Sequence, residues 1–193
     1  MADNKRKIGI MKQGKKYVGS VIIPSDVFRT IDYFNRPALM RHRDNLTTLD
    51  NYIQMHDVAM IIDGKVILKK QGAMNILVTD IIFYWDDLEN IGDSSEQKRA
   101  RTLMENTGRT DLNSANIITP MFDNQFYQLT GTFHGNFKSA MMHNFLALTN
   151  TSVNQIYIKP ETGKWCKKPI DLPHGFLALN MNHIDSYSLK YDE

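Results

Sequence analysis

Between Lys15 and Ile23 apolar and polar residues alternate and β-favouring types are frequent, which predicts a strand. After Pro24 the period changes. Ser25 and Asp26 suit a helix N-cap, and Val27, Phe28, Ile31 and Phe34 recur at helical spacing. Asn35-Arg36-Pro37 ends the pattern, because the residue before a proline avoids the α region. A short helix over 25–35 is expected, followed by a short strand over 46–50. Val58-Ala59-Met60-Ile61-Ile62 and Lys65-Val66-Ile67-Leu68-Lys69 flank Asp63-Gly64. That dipeptide tolerates the positive φ required at both central residues of a tight hairpin turn, so a hairpin is expected here. Gln71-Gly72 interrupts the run, and a bent strand is expected from Met74 to Trp85. Its end, Ile81-Ile82-Phe83-Tyr84-Trp85, is apolar without alternation. Such a run predicts a strand covered on both faces, packed against a sister repeat or a neighbouring subunit.

The same order of elements returns later in the chain. Tyr17-Val18-Gly19-Ser20-Val21 has a counterpart in Leu129-Thr130-Gly131-Thr132-Phe133. Leu46 to Asn51 matches Phe145 to Asn150, and Gly64-Lys65 and Gly163-Lys164 keep the same separation. Val78-x-x-Ile81-x-x-Tyr84 is echoed by Met181-x-x-Ile184-x-x-Tyr187. The second copy is therefore expected to hold a strand over 126–133, a short helix over 136–143 and a strand over 145–148. A hairpin joining 153–159 to 164–168 and a last strand region over 176–189 complete it.

The chain divides on this reading into a basic N-terminal tail (1–15), a first repeat (16–85), a linker (86–126) and a second repeat (127–193). Within the linker, Ser94-Ser95-Glu96 could cap a helix that runs through Ala100, Leu103 and Met104 to a stop at Asn106-Thr107-Gly108. The fold class expected is mainly β with short helices: two tandem small β-barrel-like repeats joined by a polar, partly helical linker.

A strand, a short helix and a meander containing a tight Asp63-Gly64 hairpin resemble a small SH3-like or Sm-like β-barrel, over 16–85 and again over 127–189. The resemblance implies units that pair edge strands and assemble into rings or arrays, often around nucleic acid. The Arg-Gly-Asn or Arg-Gly-Asp element of Sm proteins is absent, and no RNA-site residue is carried over from them.

Composition adds bounds rather than chemistry. Of the 193 residues, 42% are hydrophobic and 23% charged, the balance of an ordinary globular chain. No apolar run reaches the roughly 20 residues that span a bilayer. The first residues lack the apolar core of a secretory signal, and Cys166 is the one cysteine, so a reducing, cytoplasmic setting is expected. Net charge is +2, too small to imply nucleic acid by itself. The cations nevertheless cluster, and Lys15, Lys16, Arg41, Arg43, Lys69, Lys70, Lys167 and Lys168 form the candidate nucleic-acid set.

No motif announces a reaction. The six histidines show no metal-ligand spacing, and Cys166 has no base or oxyanion turn in its sequence neighbourhood. Gly131-x-x-x-Gly135 opens a helix but is no phosphate-loop pattern. Aromatics on or beside strands are the best binding clue. Ile82, Phe83, Tyr84, Trp85, Tyr157, Trp165 and Tyr187 are the candidate interface. The expected function is non-enzymatic self-association or scaffolding, with a homo-oligomer or protein partner, no cofactor and no small-molecule substrate. The alternative is binding of RNA or single-stranded nucleic acid, through basic side chains interleaved with aromatics.

Overall fold

The alternating, β-branched stretches form strands, and the protein is mainly β. The computed structural model describes residues 4–27, 29–36, 51–86, 112–119, 125–134, 144–173 and 177–191. The first half contains β1 (Asn4–Lys12), β2 (Lys15–Ile23), α1 (Thr30–Phe34), β3 (Tyr52–Ile62), β4 (Lys65–Leu77), a 3₁₀ turn at Val78–Asp80 and β5 (Phe83–Asp86). The second contains β6 (Leu112–Ile118), β7 (Gln125–His134), β8 (Phe145–Lys159), β9 (Lys164–Ile170), β10 (Leu177–Asn180), a 3₁₀ turn at Met181–His183 and β11 (Ser186–Tyr191). They make one eleven-stranded antiparallel sheet in the order β11-β6-β7-β8-β10-β5-β1-β2-β3-β4, with β9 pairing β8 off that path.

Several elements differ from expectation for identifiable reasons. From Asn4 the basic N-terminal segment is a strand, not a tail. Asn4–Lys12 pairs with β2 along its length, and Ile8, Ile10 and Met11 are buried while Lys5 and Lys7 face out. The helix occupies Thr30–Phe34 alone, because the chain after Pro24 first makes a turn closed by Val27 N–H donating to Pro24 O (2.9 Å). The expected bent strand from Met74 to Trp85 is two strands with a 3₁₀ turn between them, closed by Ile81 N–H donating to Val78 O. The segments 145–148 and 153–159 are parts of the single strand β8, which passes through Asn150 at φ 50. The linker region contributes β6 to the sheet. The strand expected over 46–50 and the helices expected over 94–108 and 136–143 lie outside the described residues.

The Asp63-Gly64 hairpin forms as expected, with φ 48 and 77 at its central residues. Gly163, at φ 63, closes the corresponding β8–β9 turn.

The pairing scheme of the first half recurs in the second. β1 pairs β2 and β5, as β6 pairs β7 and β11. Ile8 lies opposite Gly19 and Asp86, and Ala115 lies opposite Gly131 and Leu189. The two glycines sit at matched register shifts, against β3 and β8 respectively. Each permits close approach: a Cβ on Gly19 would come within 2.8 Å of His56 O, and one on Gly131 within 2.7 Å of Thr151 Cγ2. The partner strands answer with Asp57 at φ 53 and Asn150 at φ 50. Phe145 therefore corresponds to Tyr52, not to Leu46: Val78 N–H donates to Asn51 O, just as Met181 N–H donates to Asn144 O.

The halves are joined in the middle of the sheet. β5 lies between β1 and β10, with Tyr84 opposite Ala178 and Phe83 opposite Leu179. Both sheet faces are covered here. One cluster gathers Ile8, Ile10, Val21, Ile53, Tyr84 and Phe145 with α1 residues Tyr33 and Phe34. The other gathers Phe83 and Trp85 with Leu129, Leu146, Leu148, Leu177 and Leu179.

Candidate assembly interface

The inner junction shows how this sequence joins one strand edge to another. Asn180 N–H donates to Ile82 O and its side-chain amide donates to Ile81 O, both at 2.9 Å. Asn35 clasps the start of β8 from α1, accepting from Phe145 N–H (2.8 Å) and donating to Phe145 O (3.1 Å). Around that clasp Phe34 stacks on Tyr84 with ring centroids 4.2 Å apart, and both meet Phe145 edge-on. His183 Nε2 lies 2.7 Å from Thr79 O, linking the two 3₁₀ turns.

Of the interface candidates, Phe83, Tyr84 and Trp85 are buried along β5 and Ile82 is buried just before it, so the surface they offer is covered within the chain. Trp85 lies directly over Gly9, where a Cβ would come within 2.2 Å of the indole, and Lys16 Nζ sits 5.0 Å from its ring centre. Tyr84 is fully enclosed, and burial pushes its phenol well above its ordinary pKa.

The next residue but one carries the least comfortable charge in the junction. Asp86 is 5% exposed, and its Oδ1 has no hydrogen-bond partner among the described residues. Burial raises its pKa to about 6, against the opposing pull of the Thr30 hydroxyl and the Arg6 guanidinium.

The remaining candidates are more open. Trp165 on β9 is 52% exposed and meets Phe126 edge-on, Tyr157 is half-buried opposite Cys166, and Tyr187 on β11 is 46% exposed. Val66 and Ile67, beside the Asp63-Gly64 turn, were missed by the aromatic criterion although both are exposed apolar residues.

The described basic candidates are spread over β2, β4 and β9. Lys15 begins β2, Lys69 and Lys70 lie in β4, and Lys16 is committed to Trp85. Lys167 and Lys168 are exposed on β9 beside Trp165, while Arg41 and Arg43 lie outside the described residues.

The two ends of the sheet are β4 and β11, and among the described residues no strand pairs with the outer side of either. These are the counterparts of β10 and β5, the strands that meet at the inner junction. The correspondence was partly visible in the repeated Ile-x-x-Tyr spacing, but not which edges would be left over.

Among the described residues no three His, Cys, Asp or Glu side chains come together as a metal-binding group, and no helix is long and apolar enough to cross a membrane. No protein-family model, curated protein or solved structure matches the chain.

Proposed function

We propose that this chain is a non-enzymatic structural protein that self-associates, or scaffolds partners, through its strand edges and aromatic-rich surfaces. One observation carries the reading: two halves with the same pairing register are fused through strand edges into a single sheet, and that sheet ends in two more edges of the same kind. An unprotected edge offers a row of backbone donors and acceptors to any extended segment, and pairing with another chain satisfies them. The exposed apolar residues Val66, Ile67, Trp165 and Tyr187 lie on strands near the sheet's ends and hairpins, where a partner surface would reach them.

A second reading rests on β9. Trp165 projects from a strand whose neighbours Lys164, Lys167 and Lys168 are exposed, an arrangement suited to stacking and phosphate contact on a single strand of nucleic acid.

Size-exclusion chromatography with multi-angle light scattering, at low and moderate salt and with absorbance followed at 260 and 280 nm, tests both. Assembly predicts a species heavier than the 22.3 kDa chain and free of absorbance from nucleic acid. A monomer at every concentration would reject it. A complex that sheds nucleic acid as salt rises would favour the second reading, because phosphate contacts release counterions.

A further inference from the structure

We infer that the partner of the β4 edge is β11 of a second copy of this chain, joined head to tail in the register of the inner junction. The inference rests on the assembly reading above and specifies its contact.

The inner junction pairs β10 with β5, placing Ala178 opposite Tyr84 and Leu179 opposite Phe83. Each strand has one counterpart in the other half. β10 occupies, against β8, the place that the end of β4 occupies against β3: Phe145 faces Asn180 as Tyr52 faces Leu77. β5 occupies, against β1, the place that β11 occupies against β6: Met11 faces Phe83 as Ile118 faces Ser186. The flanking turns agree as well, since Ile82 N–H donates to Met11 O and Asp185 N–H donates to Ile118 O, both at 2.9 Å. Each half thus carries both sides of the junction, and one of each is used inside the chain. The other pair, β4 and β11, which no described strand joins on its outer side, sits at opposite ends of the sheet. Carrying the inner register outward puts Asn75 opposite Tyr187 and Ile76 opposite Ser186 of the second copy.

The backbone is set for this. Val78 N–H donates inward, to Asn51 O. Alternation along a strand then turns the N–H of Ile76 toward β3 and those of Asn75 and Leu77 outward. The same parity holds in β10, where Asn180 N–H reaches β5. The outer contact is more polar than the inner one, with Asn75 for Ala178 and Ser186 for Phe83, so it forms reversibly and with concentration. The contact is heterologous: each copy gives one edge and receives the other, and growth continues unless the geometry closes a ring.

The test is Asn75→Pro. Proline removes an N–H that points outward and no bond of the β3–β4 ladder, which is the position where an edge strand tolerates it. Light scattering across a concentration series should show the wild-type chain growing beyond a monomer and the variant remaining monomeric, with the same circular dichroism. Should Asn75→Pro fail to fold, Asn75→Lys repeats the test, because Asn75 is exposed in the monomer while its counterpart Ala178 is fully buried in the paired state. If wild type and these variants assemble alike, the β4 edge is not the contact, although self-association stands. If the wild type is monomeric throughout, both inferences fall. Polarity is read in a Cys166→Ser background from Asn75→Cys and Tyr187→Cys proteins with a short bismaleimide. A cross-linked dimer that needs both proteins supports the head-to-tail contact. Dimers of Asn75→Cys alone would overturn it in favour of a symmetric β4–β4 pair.

Discussion

Asp86→Asn isolates what a buried carboxylate does to the junction. The native carboxyl is held at a pKa of about 6 rather than 3.8, and burial is the largest cause. Above pH 6 the folded state therefore keeps a charge that the unfolded chain carries more comfortably. The sign follows from proton counting. Between pH 3.8 and about 6 the folded form binds more protons than the unfolded form, so this group's contribution to stability falls as pH rises through that window and is constant above it. The difference of about two pKa units corresponds to about 3 kcal/mol at neutral pH, at 1.36 kcal/mol per unit. Asparagine keeps the shape and an acceptor for Thr30 but cannot ionise. Urea unfolding of both proteins at pH 4, 5, 6, 7 and 8, followed by circular dichroism, measures the gap. Asp86→Asn should gain on the wild type as pH rises, by up to about 3 kcal/mol at pH 7–8, with little difference near pH 4. A gap that stays constant from pH 4 to 8 would refute the assignment of a raised pKa to Asp86.

Gly9→Ala should cost about 2–3 kcal/mol in thermal or urea unfolding, because its Cβ would come within 2.2 Å of Trp85 in a packed core. Asn35→Ala leaves Phe145 N–H and O without their side-chain partner and should cost about 2 kcal/mol, with faster hydrogen exchange at the start of β8. The two tryptophans should part company. Trp85→Ala loses about 3–5 kcal/mol of stability as a buried aromatic truncation, whereas Trp165→Ala, at 52% exposure, should change stability by less than about 1 kcal/mol.

Local chemistry was the most legible part of the sequence. Asp63-Gly64 declares its turn because few other residues accept two successive positive φ values, and the hairpin forms where expected. The uninterrupted run Ile81 to Trp85 announces a strand covered on both faces, and the strand forms over its end as Phe83–Asp86, with Tyr84 in one cluster and Phe83 and Trp85 in the other. The recurring Gly19 and Gly131 mark matched bulges. What was illegible depends on partners distant in the chain. β1 alternates only briefly before its lysines dominate the composition, so Ile8 and Ile10 read as incidental until β2 and β5 are placed beside them. The counterpart of Phe145 was misassigned to Leu46 because short apolar strands resemble one another, and only the hydrogen bonds from the 3₁₀ turns fix the phase. The intramolecular fate of Ile82 to Trp85 was likewise hidden. An aromatic-rich strand reads the same whether its cover is the same chain or another, and here β10 supplies it.

That cover arrives late in synthesis. β5 is complete at Asp86, yet its partner begins at Leu177, and most of the second hydrophobic cluster comes from Ile117 onward. A chain leaving the ribosome therefore carries Phe83 and Trp85 on a bare face while some ninety further residues are made, at roughly 5–20 residues per second. The first half cannot finish its own core in that interval, and the loop that must close is long, which slows the final pairing. Several seconds of exposed aromatic edge is a window for mispairing between nascent chains. The yield of correctly folded protein should accordingly be more sensitive to expression temperature and translation rate than the number of buried residues alone would suggest.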